Sequence, residues 1–495
     1  MKSQIHQHIL TTALFIFSCC NSSCKKELDL AAVDPPVTSI TQTNVFASDG
    51  TAIGALAGIY TQMSSATTNI FTGNQSLSIY CGLSSDELSL WSGSSSTSLI
   101  AYYQNNLRLN GTSYLGSESW SNTYKYVFLC NSAIEQLTSS TSENLTPIVR
   151  KQLLGEAKFI RAYIYFYLVN LYGDVPLALT SNYKVNNLLP RTPKVQVWQQ
   201  IISDLHDVQA TLSTSYLDGT LLAVSTDRVR PTAGAANALL ARAYLYTGNY
   251  AGADSAASAV INNSLYALSP LTGTGSVFSR NSSETIWSIQ PQGNGLINTF
   301  DAYYFIIPST GPSSSVAFTN INPTLVNSFE SGDARKSKWL GTYGTGTNMV
   351  YYPYKYTQNA FGTPTATNQT EYMMMLRLAE QYLIRAEARA QLNNISGAKS
   401  DLNAIRTRAS LPNTIANDQA SMLTAIMHER QVELFTELGQ RWFDLKRTGT
   451  VDAVMAAQTP LKSNNAVQWN TNQQLYPIFQ GDINVNPNLK QNPGY

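Results

Sequence analysis

The chain has 495 residues, only 13% of them charged, and a formal net charge of +1. That length supplies core for one large or two to three ordinary domains, and so sparse and balanced a charge excludes electrostatic steering toward nucleic acid or an anionic membrane. Neutral polar residues and 28 Tyr take the place of charge, a surface suited to a secreted or surface protein that meets neutral hydrogen-bonding ligands such as sugars.

In chain order, Lys2 is followed by the apolar run ILTTALFIFS, the length of a signal h-region and too short to span a bilayer. Cys19, Cys20 and Cys24 close the run and read as a lipoprotein signal, in which one Cys is acylated and becomes the mature N-terminus. Ile16 and Ser18 place an aliphatic and a small residue where such a signal needs them before Cys19; Cys24 and Cys20 are the alternatives. Residues 1–18 are thus a signal peptide and 19–45 a polar, Pro-containing tether. Cys81 and Cys130 remain, too few for a disulfide framework, and read as buried small apolar residues.

Helical periodicity begins near Thr51, with Ile53, Leu56, Ala57, Tyr60 and Met63 on one face. SGSSSTS (92–98) reads as an exposed loop. Residues 120–137 form an amphipathic helix with Trp120, Tyr124, Val127 and Phe128 inward. In the next helix Leu153, Ala157, Ile160, Ile164, Leu168 and Leu171 follow 4,3,4,4,3 spacing, with Phe159, Tyr163 and Phe166 as a second stripe. Two apolar faces predict a helix packed between others; Gly173 stops it and Pro176 keeps it from resuming. Residues 230–263 read as a helical hairpin of tetratricopeptide type, with Gly248-x-Tyr250-x-x-Ala253 at the turn and small Ala at the contact. Residues 372–411 read as another, with Met375, Ala379, Tyr382, Ala386 and Ala390 down its first helix and Ala398, Leu402, Ile405 and Ala409 down its second. The hairpins are irregular and far apart, which predicts something other than a continuous solenoid. Residues 264–370 lose helical periodicity and fill with Gly, Ser, Thr, Asn and Pro; a loop-rich insertion of that size in a helical scaffold points to function. The organisation expected is 46–263 as an N-terminal helical region and 264–495 as a C-terminal region carrying the insertion.

Little of this is catalytic. Beyond the leader only His206 and His428 remain, each alone, and there is no metal-ligand cluster, phosphate-cradling loop or nucleophile–base pattern. Glu429, Glu433 and Glu437 are spaced i,i+4, as a glycosidase carboxylate pair could be. Arg430, Arg441, Lys446 and Arg447 are in reach, so the reading is a charge network locking this helix to its neighbours, with Glu437–Arg441 as an i,i+4 pair. Glu156 and Arg161, and Glu380 and Arg385, likewise tie hairpins together. No cofactor or metal is expected.

GEAKFIRAYIYFYLVNLYGDVPLAL, RPTAGAANALLARAYLYTGNY, LRLAEQYLIRAEARA, LNAIRTRASL, HERQVELFTELGQRWFDLKRTG and the ending LYPIFQGDINVNPNLKQNPGY resemble the SusD/RagB family of outer-membrane nutrient-binding lipoproteins, in the family's order and over nearly the whole mature chain. CKKELDL resembles the family's mature start, which argues for Cys24. The resemblance implies a mainly α, SusD-like fold: a tetratricopeptide-like hairpin scaffold with an irregular, loop-rich ligand-binding region. It implies a non-enzymatic protein, lipid-anchored on the outer membrane facing outward, that captures oligosaccharide and delivers it to a SusC-like TonB-dependent transporter. The alternatives are a peptide or glycopeptide binder of the same uptake type and a surface glycosidase. It also implies that YGDVPL is a structural turn.

No family motif carries the ligand residues, so they rest on chemistry. Sugars offer apolar C–H faces and a hydroxyl rim, which call for flat aromatic rings with amide or carboxylate partners. Trp120, Tyr163 and Trp442 lie in helical stripes and are consumed by packing. In loops, the candidates are Trp91, which follows Asp86 and Glu87; Tyr303 and Tyr304, after Asp301; Tyr352 and Tyr354; and Asn105, after Tyr102 and Tyr103.

Overall fold

The computed structural model describes residues 45–65, 69–293 and 295–495. The signal run, the candidate anchors Cys19, Cys20 and Cys24, and the tether up to residue 44 lie outside the described residues. Residues 45–495 form one compact unit, mainly helical. Among the described residues no helix is long and apolar enough to cross a membrane.

The first helices are α1 (Asp49–Ser64) and α2 (Leu77–Ser84). Then come α3 (Glu118–Ser139), α4 (Pro147–Tyr172), α5 (Lys194–Gln209), α6 (Ala233–Tyr246) and α7 (Tyr250–Ile261). After the insertion follow α8 (Leu378–Gln391), α9 (Ile395–Arg408), α10 (Gln419–Glu433), α11 (Gln440–Arg447) and α12 (Val451–Lys462). From α3 to α9 each helix packs on the next, and α10 closes against α8 and α9. The array is therefore continuous in space, although residues 262–377 interrupt it in sequence. Distance along the chain is a poor guide here, because α7 and α8 bring matching apolar faces together whatever lies between them. The boundary expected at 263/264 is likewise not a break in the packing.

The twin stripes of α4 have the environment their spacing requires. The helix begins with Pro147 and ends at Gly173, whose φ of +74° suits glycine. Between α3 and α5 it buries nearly every side chain after Leu153. Phe159 and Tyr163 meet Trp287 edge-on, both at 5.0 Å, and Phe166 meets Phe443 at 6.2 Å. In the 233–261 hairpin Ala235, Ala238, Ala253 and Ala257 are fully buried, so small side chains let α6 and α7 approach closely. Cys81 and Cys130 are buried free thiols, and burial pushes both up to about 12.

Local periodicity fails in four places. Phe128 is 41% exposed, because α3 turns Trp120, Val127 and Cys130 inward instead. Met375 lies on a strand, since α8 begins only at Leu378. Glu437 is off the helix: α10 ends at Glu433, and the chain turns through positive φ at Thr436, Leu438 and Gly439. The expected Glu437–Arg441 pair is absent, because Arg441 reaches Asp86 at 2.7 and 2.8 Å while Glu437 meets Arg377 and Lys355.

The carboxylates of 429–437 do form the expected lock. Arg377 bridges Glu284, Glu433 and Glu437, and Arg335 bridges Asp333, Glu429 and Glu433. The other expected ties hold with different partners: Glu156 pairs with Arg230, Arg161 with Asp204, Glu380 with Arg242, and Arg385 with Asp401. His206 bonds Tyr244, and His428 bonds the Ser328 carbonyl.

Within the insertion, short helices and strands replace the expected irregular chain. Strand β1 (Leu88–Leu90) pairs antiparallel with β5 (Thr319–Ile321), and β2 (Leu109–Asn110) with β3 (Ser113–Tyr114). The insertion's two ends are joined by β4 (Thr285–Ile289) and β8 (Met373–Arg377), also antiparallel. A hairpin of β6 (Leu340–Tyr343) and β7 (Val350–Pro353) sets β7 beside β5.

Candidate functional site

Trp91 leaves β1 by donating its N–H to the Phe318 carbonyl at 2.8 Å, so the β1–β5 pairing holds residues 91 and 318 side by side. The indole lies over Gly93, where a Cβ would fall 2.4 Å from the ring. The Ser-rich loop therefore seats the Trp on bare backbone and leaves it only half-buried.

Tyr303 and Tyr304 sit on a short helix, Phe300–Phe305, rather than in a loop. Thr299 caps that helix, its side chain accepting from the Ala302 N–H at 3.2 Å. Tyr304 lies 5.8 Å from Phe318 and roughly parallel to Phe300 at 6.4 Å. Tyr303 is edge-on to Tyr304 and to Phe361, each at 5.0 Å. Phe361 is held by the Leu296–Phe361 bridge and the Gly362 N–H to Gly295 carbonyl bond of 2.7 Å, yet is 59% exposed. Tyr304 thus links the buried Phe318 ring to Tyr303 and the exposed rim at Phe361, while Trp91 is held next to residue 318 by its backbone.

Tyr352 and Tyr354 form a second pair, 6.0 Å apart and edge-on, on the adjoining hairpin. The Tyr352 ring covers its cross-strand partner Gly341, where a Cβ would come within 2.2 Å of it. Tyr354 opens on a polar cavity of about 450 Å³ that Ser276, Thr357 and Gln358 help to line. Tyr343, on the same hairpin, reaches across to Gly311 and so packs the hairpin on the 306–318 loop.

Two predicted site residues are withdrawn from solvent. Asn105, 4% exposed, donates to the Ser84 carbonyl at 2.8 Å and accepts from Thr459 at 3.0 Å, tying α2 to α12. Asp301, also 4% exposed, is pushed up to about 7 by burial and accepts from Ser78. Asp86 and Glu87 are equally inward: Asp86 binds Arg441, and Glu87 is pushed up to about 8 by burial and by the charge of Asp86. The carboxylate partners expected beside the aromatics are therefore core groups, and the rim must draw on neutral donors. Sequence reasoning missed Phe318 and Phe361. Phe361 gave one signal, a lone aromatic in the polar run QNAFGTPTATNQT. Among the described residues no group of three or more His, Cys, Asp or Glu is placed to hold a metal ion.

Comparison with known proteins adds to this geometry. A model described as "SusD family" matches residues 334–495, and one described as "Starch-binding associating with outer membrane" matches residues 55–245. SusD-like protein P2 of Formosa agariphila is 26% identical over 93% of this chain and 95% of its own length. SusD-like protein P38 of the same organism is 24% identical over 78% and 80%. Among solved structures, a SusD superfamily protein of Bacteroides vulgatus superposes with a TM-score of 0.74 at 18% identity, covering 91% of this chain and 100% of that one. A laminarin-binding SusD-like protein superposes at 0.70 and 22% identity, covering 90% and 99%.

Proposed function

Because the chain belongs to the SusD/RagB family, we propose that it is a cell-surface glycan-binding lipoprotein that captures oligosaccharide and delivers it to a SusC-like TonB-dependent transporter of the outer membrane. The observation that carries the reading is the run of rings from Phe318 through Tyr304 and Tyr303 to the exposed Phe361, with Trp91 tied by its backbone to residue 318. Tyr303, held edge-on between Tyr304 and Phe361, costs little further entropy on binding and offers a face for sugar C–H groups. The laminarin binding named for one structural relative suits the same ligand class. A non-enzymatic role accords with the carboxylates of 429–437, each held by a buried Arg or Lys.

Calorimetry with β-glucan oligosaccharides against a peptide pool tests the ligand class; binding of peptide alone would replace the glycan reading. Alanine at Trp91, Tyr303, Tyr304, Tyr352, Tyr354 or Phe361, with melting unchanged, is expected to weaken binding by up to about tenfold per ring. If all six can be replaced without loss, the site lies elsewhere. No release of reducing sugar is expected. Detergent partitioning and mass spectrometry of the N-terminal peptide test the anchor and decide among Cys19, Cys24 and Cys20; an unmodified N-terminus would overturn it.

A further inference from the structure

Away from the aromatic face, the C-terminal end of α4, the start of α5 and the 474–493 segment enclose a cavity of about 1070 Å³. In a chain of net charge +1 this cavity gathers four basic side chains, Arg191, Lys194, Lys446 and Lys490, that form no salt bridge among the described residues; Arg447, also on its wall, is paired with Glu387 and Asp444. Asp174 is the carboxylate on the wall, and its Oδ1 accepts the Lys194 backbone N–H at 2.7 Å. Two of the four are fixed in place. Lys446 donates to the carbonyls of Asn170 and Gln474, and Arg191 donates to those of Asp174 at 2.8 Å, Tyr172 at 3.1 Å, Lys490 and Gln491, and to the Asn492 side chain. Carbonyls hold these side chains without cancelling their charge. Lys194 and Lys490 are exposed at the mouth.

The rest of the wall is not that of a bare anion hole. Trp198, half-buried, is braced by Phe166 at 5.7 Å and Tyr246 at 6.0 Å, which sets a rigid indole on the cavity wall. Gln199 adds a neutral amide, whereas the amides of Gln491 and Gln474 are bonded to the Ile478 backbone and to Asp452 and Thr471 and serve to shape the wall. An aromatic face, an amide and positive charge without a carboxylate partner in one concave site are what a sugar unit with an acidic substituent requires: the ring stacks, hydroxyls pair with Gln199, and the acidic group meets Lys194 and Lys490 in the field of Arg191. A flat membrane surface would need none of the concavity or the indole.

We infer that this cavity is a second saccharide site, for oligosaccharides whose units carry a carboxylate or sulfate. The inference rests on the glycan-binding reading and extends it from neutral to acidic glycans. Burial also lowers Lys446 to about 7, so a bound anion would favour its charged form.

The test uses the whole mature protein and titrates a galacturonate trisaccharide, a sulfated galactose trisaccharide and neutral galactotriose. At least one acidic sugar is expected to bind about tenfold or more tighter than the neutral one, weakening as salt is raised. The K194Q/K490Q double variant, changed only at the exposed mouth, is expected to lose that preference while its melting and β-glucan binding stay unchanged. Alanine at Trp91 or Tyr303 should leave acidic-sugar binding intact. Binding of β-glucan but of neither acidic sugar would overturn this inference and leave the first site standing. Acidic-sugar binding that survives K194Q/K490Q, or that is lost with Trp91→Ala, would place those sugars elsewhere and also overturn it. Binding of inorganic sulfate as tightly as either trisaccharide would reduce the cavity to a simple anion site.

Discussion

Glu87 shows how far a side chain's neighbours can redefine it. Its Oε1 accepts the Thr436 N–H at 3.3 Å, and burial with the Asp86 charge lifts its carboxyl to about 8. A carboxyl raised above its unfolded value contributes stability below about pH 4.5 that is lost as pH climbs through 8. Glu87→Gln removes that titration. The melting temperature of the variant relative to wild type is therefore expected to rise steadily from pH 5 to pH 8.5; a constant difference would refute the assignment. Gly341 gives a second residue-scale case. A methyl there must displace the Tyr352 ring, so Gly341→Ala is expected to cost about 1–3 kcal/mol in denaturant titration. If Tyr352 contacts sugar, the same change weakens glycan binding as Tyr352→Ala does.

Between elements, buried ion pairs join one helix to another. Arg242 on α6 and Glu380 on α8 share two bonds of 2.6 Å, and both are buried. Removing one partner strands a charge, so Arg242→Met is expected to cost about 3–5 kcal/mol, and the double Arg242→Met/Glu380→Met to recover most of it, both read by urea unfolding. No recovery would mean that Arg242 matters for its packing on Phe166. Trp442 of α11 is fully buried, edge-on to Trp469 at 6.3 Å. Trp442→Ala is expected to cost about 3–5 kcal/mol, with sugar binding lost only through unfolding. Lost binding at unchanged stability would make the indole a ligand residue.

For the whole molecule, the consequence of a continuous array is that its sequence halves do not stand alone. α7 packs on α8, Trp287 of β4 packs on Phe159 and Tyr163 of α4, and Tyr476 donates its N–H to the Leu171 carbonyl at 2.8 Å. A fragment of residues 46–263 would expose all three contacts. It is expected to show no cooperative melting by circular dichroism, and to regain it when residues 264–495 are co-expressed. Independent cooperative folding of the fragment would restore the boundary at 263/264. The architecture also separates tasks: the array supplies rigidity, and the insertion, pinned at both ends by β4 and β8, can carry varied side chains without disturbing it.

Much of the scaffold was legible because helical periodicity is local. The stripes of α4, the Ala contacts of 233–261, the stop at Gly173, and the burial of Trp120, Tyr163 and Trp442 all depend on neighbours a few residues away. The family resemblance rests on such runs too. Ion-pair partners were not legible: Glu156 passes over Arg161 for Arg230, and Glu437 lies beyond the end of its helix. The candidate site was half legible. Trp91, Tyr303, Tyr304, Tyr352 and Tyr354 stand out by residue type, but Asp301 and Asn105 look equally polar in sequence and prove to be buried. Their fate, and the meeting of residue 91 with residue 318 and of 303 with 361, depends on which distant strands pair. The sequence by itself determined which faces are apolar, because that is written at a spacing of a few residues. Only the tertiary structure decided which distant element covers each face and which polar groups are left to meet a ligand.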